Sequence, residues 1–492
     1  GCAPDSAKRG DEGDASSALV HSTLYDLTGV PLSSDLAPAV LDARATLNQA
    51  DSPTRYRKQI ARYERLDQDF SRPGERETAE DSLLAWWAAD PENFLWIRTA
   101  AINYRDLRRQ DEFERIRAHP ALADTTSGVG AFLAGVWSSR VQTAARHYAR
   151  ARSAWAELDS LQRAFLVLEI GRNLRRAGQP LEGIETILAH LPQMRAVGGR
   201  PFEAYVWSNV AISLREADRL DDAMHAAVVG WELARALGDL ALEANAREDL
   251  ATTLVARKEY DAARQLYEET IALCREQALP RVLETSLDRM AGLMTTTGDF
   301  AAALAYDRQI LDQLEASGRG HNLPGVLMNV ANDHLYLGQP DSARVYMERS
   351  LAEAQAYGSP RIRGAMMQRA VVYLNHFGEY ERAEEMLRQA NAALAESGRT
   401  TDMVQLQVEA LREALEMGQI DLAYEALRWL HEYDGRIPNR GTNDNLEAQI
   451  EIASVELYRG QGEYRRAADA LDRARVAIDR RPGAEWEWEY QR

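Results

Sequence analysis

The chain has 492 residues, of which 27% are charged and 45% are hydrophobic, and its formal net charge is −18. This acidic balance argues against unspecific nucleic-acid binding, because no surplus of positive charge would meet the phosphates. A basic or neutral protein partner fits better. The sequence has no apolar run of about 18 residues, so no transmembrane helix is expected.

Residues 1–22 begin with GCAPDSAKRGDEGDASSA, a polar stretch that cannot bury enough apolar surface to fold. We expect it to be a flexible tether. A small residue followed by Cys2 resembles the mature start of a bacterial lipoprotein. That resemblance implies lipidation of Cys2 and a location at the bacterial cell envelope, periplasmic or surface-exposed, with the membrane contacted only through the anchor. The alternative is an ordinary N-terminus of a cytoplasmic protein with a chance cysteine.

Residues 23–160 show a weaker helical pattern. The stretch DPENFLWIRTAAINYRDLRRQDEFERI, which includes Trp96, has a helix-start Asp-Pro followed by an amphipathic helix pair. Ala145 and Tyr148 lie in a further amphipathic helix. These segments are interpreted as divergent helical repeats that precede a regular array.

Residues 161–480 repeat one phrase, of which KEYDAARQLYEETIAL at 258–273 is an example. A turn residue recurs every 40 positions, and only the last step is 44. Five positions later a small residue follows. The turn positions are Gly178, Asp218, Lys258, Gly298, Gly338, Gly378, Gly418 and Gly462. The small positions are Gly183, Ala223, Ala263, Ala303, Ala343, Ala383, Ala423 and Ala467.

Each position of this ladder has a physical role in a helical hairpin. The turn residue ends one helix, where a left-handed backbone is often needed and glycine tolerates it best. The small residue lets the two helices of a hairpin approach closely. A single hairpin leaves apolar faces bare, so neighbouring hairpins must stack to bury them. The pattern therefore predicts an all-α solenoid of antiparallel helix pairs with about eight repeats. Cys274, near the end of a second helix, is predicted to be a small buried hydrophobe.

The phrase resembles the tetratricopeptide-repeat (TPR) family. The stretch ANAREDLATTLVARKEYDAARQLYEETIAL carries the family pattern at Ala251, Tyr260, Ala263 and Tyr267. The resemblance implies a right-handed superhelical solenoid, in a longer-helix variant because the period is 40 in place of the usual 34. Residues 481–492 are expected to begin a further helix or to form a truncated end. HEAT-like repeats have a similar period but lack this phrasing.

In the family, first helices line a concave face that binds peptides. Carrying that register over marks a candidate peptide-binding groove. Asparagine amides can both donate to and accept from an extended backbone, and arginine adds bidentate recognition of carboxylates. The candidate groove residues are Tyr205, Asn209, Arg215, Glu248, Arg289, Met328, Asn329, Asn332, Tyr336, Gln368, Arg369, Asn375, His376 and Arg412. The alternative for each is a bond to a neighbouring helix.

The sequence lacks the motifs of catalytic and metal sites. It has no His-Glu-x-x-His pattern, no cysteine pair with zinc spacing and no phosphate-binding loop. The stretch GVGAF at Gly128 lacks the third glycine of a dinucleotide fingerprint. Acidic residues alternate with arginine at helical spacing, which is typical of solvated salt-bridged faces. We expect no catalytic residues, no cofactor and no metal.

The leading interpretation is a non-enzymatic scaffold that binds a protein or peptide. Two alternatives remain open at this stage. In the first, the chain is the sensor arm of a larger enzyme, such as a caspase-like peptidase or a signalling kinase. In the second, it self-assembles through its solenoid ends into a homo-oligomeric filament or ring.

Overall fold

The computed structural model describes residues 27, 30–45, 47, 76–89, 99, 103, 118, 124–138, 141–318, 320, 322–397, 407–408, 410–412, 414–415, 418–434 and 444–479. Cys2, the tether at 1–22 and the end at 481–492 lie outside these residues. Every regular element within the described part is helical. None of the described helices combines the length and hydropathy that a membrane-spanning segment needs.

The N-terminal helices precede the regular array. They are α1 (Ala37–Ala45), α2 (Arg76–Ala89), α3 (Gly128–Trp137) and α4 (Val141–Ser153), and α4 is followed by a 3-10 turn at Trp155–Glu157. The stretch GVGAF forms the beginning of α3, where Ser127 caps the helix by accepting a hydrogen bond from the Gly130 backbone N–H. A capping side chain at this position satisfies one of the open donors of the first turn.

The array that follows consists of helix pairs. Its helices are α5 (Ser160–Arg176), α6 (Pro180–Leu188), α7 (Leu191–Glu216), α8 (Leu220–Leu237), α9 (Leu240–Ala256), α10 (Tyr260–Glu276), α11 (Pro280–Thr296), α12 (Phe300–Ser317), α13 (Leu323–Tyr336), α14 (Pro340–Tyr357), α15 (Pro360–His376), α16 (Tyr380–Ser397), α17 (Ile420–Asp434), α18 (Asp444–Gly460) and α19 (Tyr464–Asp479). The expected all-α, TPR-like solenoid is thus confirmed.

All eight turn positions of the ladder have a left-handed backbone. Their φ angles lie between 59° at Asp218 and 83° at Gly178 and Gly298. The residue after each turn donates its N–H to a carbonyl five positions back, as Glu259 does to Leu254 at 2.9 Å. This bond closes the end of a first helix and reverses the chain. The left-handed turn residue is therefore the feature that all eight hairpins share.

The small positions let the paired helices touch, as expected. Six of the seven alanines are at most 2% exposed, and Ala467 is 8% exposed. Gly183 of α6 lies so close to α5 that an added Cβ would stand 2.6 Å from the carbonyl oxygen of Gly171. Cys274 is fully buried, and burial raises the pKa of its thiol to about 12. The prediction of a buried cysteine is confirmed.

In each helix pair, the first helix ends at the left-handed turn and the second helix begins after it. The first helices lie on the inner side of the array. Neighbouring first helices contact each other directly in the pairs α5/α7, α7/α9, α9/α11 and α13/α15. Among the described helices, second helices approach one another less closely and instead pack on their own first helix and on the next one. The array therefore bends towards its first helices, and their exposed side chains line a groove.

One second helix is interrupted. Where the other repeats have a continuous helix, α6 ends at Leu188 and α7 begins at Leu191, with Pro192 in its first turn. Proline lacks an N–H and its ring clashes with the carbonyl four residues back, which in an unbroken helix belongs to Leu188. A second kink follows at Gly199, whose φ of 68° starts the next first helix.

Residues 30–47 contact the array far from their own position in the chain. Arg219 of α8 donates to both carboxylate oxygens of Asp35 at 2.8 and 2.9 Å. The backbone N–H of Ser33 donates to Asp222 at 2.9 Å, and His225 Nε2 donates to the carbonyl of Val30 at 3.1 Å. This segment covers the outer face of α8, which explains why that second helix is so apolar.

The left-handed turns can be tested with two glycines of the same repeat. Gly298 has a φ of +83°, whereas Gly292 lies inside α11, and an added Cβ would meet no atom within 4 Å at either position. Only the backbone conformation differs. We expect Gly298→Ala to destabilise the protein by about 1–2 kcal/mol, and Gly292→Ala to stabilise it by about 1 kcal/mol.

Urea unfolding followed by circular dichroism measures both changes as shifts of the midpoint. Shifts of the same sign for the two variants would contradict a left-handed requirement at Gly298.

Candidate groove of the first helices

The beginning of the groove is organised by Arg172 of α5. Its Nη1 donates to Glu169 at 2.9 Å and its Nε donates to Asn209 Oδ1 of α7 at 2.7 Å. Its Nη2 donates to the hydroxyl of Tyr205, and the guanidinium lies 5.1 Å from the centre of that ring. The amide of Asn209 also donates to the carbonyl of Tyr205 at 2.7 Å. Tyr205 and Asn209 are thus brought together, but their polar atoms bind within the array.

The middle of the groove holds a mixed-charge cluster. Arg215 of α7 donates to the carbonyl of Asp249 at 3.2 Å and to Thr253 Oγ1 at 3.1 Å. Arg289 of α11 lies 3.5 Å from Glu248 of α9 and remains 48% exposed. Burial, with the neighbouring charge of Asp249, raises the pKa of Glu248 to about 7. Near neutral pH, Glu248 is therefore only partly ionised, and Arg289 also lies 3.9 Å from a carboxylate oxygen of Asp288.

Two asparagines of α13 form the part of the groove with open donors. Asn329 Oδ1 accepts from Arg369 Nη1 at 3.0 Å, and Asn332 Oδ1 accepts from the hydroxyl of Tyr373 at 3.2 Å. Both donors belong to α15, the next first helix. Neither amide nitrogen has a hydrogen-bond partner among the described residues, and both side chains are half-buried. The two amides are thus held by their oxygens, with their N–H groups available.

Two other candidate residues contact a neighbouring repeat. Tyr336 is 41% exposed and stacks on Phe300 of the preceding hairpin, with ring centres 4.3 Å apart and planes at 2°. Arg412 pairs with Glu456 of α18 at 3.3 Å. Each therefore contributes to the contact between neighbouring repeats.

The remaining candidates differ in accessibility. Asn375 donates to the carbonyl of Val371 in its own helix at 3.0 Å, and His376 is exposed at the end of α15. Met328 is fully buried in the core, so its assignment to the groove surface was wrong. Gln368 is only 2% exposed, so its assignment to the groove surface was wrong as well. Met328 and Gln368 each directly precede a groove residue, Asn329 and Arg369, and a step of one residue moves a side chain to another face of the helix.

Sequence reasoning missed three residues that organise the groove. Glu169 and Asp249 occupy the same repeat position as Asn209, forty residues to either side. Extending the register by one repeat in each direction would have found them. Arg172 occupies the same repeat position as Asn332, four repeats earlier, so the same extension would have found it as well.

A buried carboxyl pair lies beside the groove. Asp307 of α12 and Asp333 of α13 are each 1% exposed, and their carboxyl groups lie close enough to interact directly. Two buried carboxylates side by side repel each other, which favours one proton held between them. Burial raises the pKa of both groups; the charge of Asp333 raises that of Asp307 further, and Asp288 adds to it, while Arg369 opposes both shifts. Asp307 Oδ1 and Asp333 Oδ2 are buried and accept no hydrogen bond from the described residues.

This pair does not form a metal centre. Within the described part of the chain, no three His, Cys, Asp or Glu side chains lie close enough together to hold a metal ion.

Comparisons with known proteins agree with the geometry of the fold. A family model described as tetratricopeptide repeat matches residues 244–279. No curated protein matches the chain. The chain is thus an all-α solenoid that contains a tetratricopeptide repeat.

Three solved structures with the same kind of fold are similar to it. A Rap protein complexed with Competence and Sporulation Factor shares 12% identity over 73% of this chain and 99% of that chain, with a TM-score of 0.47. The quorum sensor NprR from B. thuringiensis shares 13% over 67% and 95%, with 0.42. Kinesin light chain TPR-like repeats from Podosopora anserina share 17% over 41% and 98%, with 0.35. At these identities the likeness concerns the fold alone.

The carboxyl pair makes the stability of the protein depend on pH. The folded state keeps a proton that the unfolded chain releases above the ordinary aspartate range. The free energy of unfolding therefore falls as pH rises from about 4 to the raised pKa of the pair. We expect Asp307→Asn to remove most of this fall and to raise stability at alkaline pH, because an asparagine amide can donate to ionised Asp333.

Urea midpoints between mildly acidic and alkaline pH measure this effect, with Asp312→Asn on the exposed face of the same helix as the control. A parallel pH dependence in Asp307→Asn and the unsubstituted protein would show that the pair shares no proton.

Proposed function

We propose that the protein is a non-enzymatic scaffold that binds an extended peptide or protein segment in the groove of its first helices. The observation that carries this proposal is the pair of open amides on α13. Asn329 and Asn332 are one helical turn apart, so they lie on the same face of the helix. Their oxygens are fixed by α15, and their N–H groups suit the carbonyl oxygens of an extended backbone.

The charged residues of the groove support recognition of a partner that carries both signs. Arg289 is half exposed, and its ion pairs with Glu248 and Asp288 are long, at 3.5 and 3.9 Å, so it can bind a carboxylate of the partner. Asp288 of the same helix, whose side chain is 42% exposed, supplies negative charge nearby. The salt bridges that hold these side chains are made before any partner binds, which limits the entropy lost on binding.

A non-enzymatic role is supported by the state of the carboxyl groups. Asp307 and Asp333, whose pKa values are raised by burial, are sealed from solvent and cannot meet a substrate. In the groove, Glu169 and Asp249 are engaged by Arg172 and Arg215. These two carboxylates position arginines.

Selection from a display library of random linear peptides tests the proposal. We expect selected peptides to lose about tenfold or more in affinity with the double substitution Asn329→Ala and Asn332→Ala, because each amide loses a hydrogen bond worth about 1 kcal/mol. Gln389→Ala, which changes an exposed amide on the second helix α16, serves as the matched control. Fluorescence anisotropy measures the dissociation constants.

Failure to select any peptide would overturn the proposal. Peptides that bind equally well to the asparagine variant and to the Gln389→Ala control would do the same.

Attachment to the cell envelope through Cys2 is a separate proposal, supported by the small residue next to this cysteine and by the polar stretch that follows it. We expect Cys2→Ser to move the protein from the membrane fraction to the soluble fraction of its own cells, because the thiol is the acceptor of the lipid. Cys274→Ser, at a fully buried thiol, is the control. Unchanged membrane retention of Cys2→Ser would count against the tether.

A further inference from the structure

The interrupted second helix leaves a cavity of about 650 Å³ at the edge of the solenoid. It lies between the end of α4, the 3-10 turn, the beginning of α5 and the beginning of α7. Its volume is in the range of small-molecule sites. Because α6 stops at Leu188 and α7 restarts beside Pro192, no continuous helix fills this space.

The inner wall of the cavity is apolar. Ala164 and Val167 of α5 and Met194 of α7 are buried beneath it, and Val197 is half-buried. The indole of Trp155 forms one side and lies 6.3 Å from the ring of His190, centre to centre. Such a wall suits an aliphatic or aromatic body.

The mouth of the cavity is cationic. Arg163 donates from Nε to the carbonyl of Trp155 at 3.0 Å, and its guanidinium lies 5.5 Å from the centre of the Trp155 ring. This leaves both terminal nitrogens of Arg163 for a ligand. Arg152 is exposed at the same mouth. Among the described residues, neither arginine forms an ion pair, and none of those that line the cavity is acidic.

The surroundings have the same sign. Residues 141–176 contain seven arginines and three acidic residues, although the whole chain carries a net charge of −18. Two unpaired arginines beside an apolar cavity in a locally basic segment are suited to one kind of ligand, because a guanidinium binds both oxygens of a carboxylate in one plane.

We propose that this cavity binds a small amphipathic anion, a monocarboxylate with an aliphatic or aromatic body. The body lies against Trp155, Val167 and Met194, and the carboxylate is held by Arg163 with Arg152 beside it. The site is separate from the groove on the first helices, so its occupancy does not depend on the proposed peptide binding.

The probe for this site is 8-anilinonaphthalene-1-sulfonate, an aromatic anion that fluoresces when it binds to an apolar surface. Octanoate and octanol compete with the probe. They have the same kind of alkyl chain and differ in the charge of the head group. We expect saturable probe binding that octanoate displaces at about tenfold lower concentration than octanol, since the charged head gains a charge-assisted hydrogen bond.

Three variants locate the site. Arg163→Gln should abolish the preference for octanoate, and Arg152→Gln, at an exposed residue without a structural partner, should reduce it about two- to fivefold. Ala196→Trp places a large ring at the exposed edge of the cavity and should block the probe. Arg146→Gln, on α4 outside the cavity, is the matched control and should leave both measurements unchanged.

Circular dichroism confirms that each variant is folded, and Arg152→Gln and Ala196→Trp keep the test valid if Arg163→Gln does not fold. Absence of saturable binding would overturn the proposal. So would equal competition by octanoate and octanol, or a preference that persists in both arginine variants.

Discussion

The structure depends on a chain reversal that is repeated at every hairpin of the array. A left-handed residue ends the first helix, and the next N–H bonds to a carbonyl five residues back. A small residue five positions after the turn then allows close contact between the two helices. Because each reversal has the same geometry, each hairpin presents the same faces, and stacking can continue without interruption.

The curvature follows from how these hairpins stack. First helices contact the first helices of neighbouring repeats, so the bend places their polar side chains side by side. Arginines then join one repeat to the next, as Arg172 does with Asn209, Arg215 with Asp249 and Arg369 with Asn329. These bonds consume some of the groove's polar atoms and fix others in place. The groove is thus both a structural seam and a surface for recognition.

Local constraints made much of the fold predictable from the sequence. The left-handed turns, the alanine contacts and the burial of Cys274 all depend on residues within one hairpin, and all were found where the ladder placed them. The groove was predicted less well. Asn329 and Asn332 lie in it as expected, but Met328 and Gln368 turned out to be buried, because a shift of one position moves a side chain to another face of the helix.

Features that depend on distant contacts were not predictable. The docking of residues 30–47 on α8 joins Ser33 to Asp222, and no periodic signal marks it. In the sequence, Asp307 and Asp333 cannot be distinguished from surface aspartates, although both are buried in the structure. Pro192 indicates a helix break in the sequence, but a proline does not predict what surrounds the break. The cavity beside it arises from how four segments surround the break.

Distance measurements by electron paramagnetic resonance test the inward position of the first helices most directly. Spin labels at Asn245 and Gly325 lie on first helices two repeats apart, and labels at Gln265 and Val345 lie on second helices at the same spacing. Cys2 is replaced by serine, and the buried Cys274 does not react. We predict a shorter distance for Asn245 and Gly325 than for Gln265 and Val345. Equal distances, or the reverse order, would contradict a groove formed by the first helices.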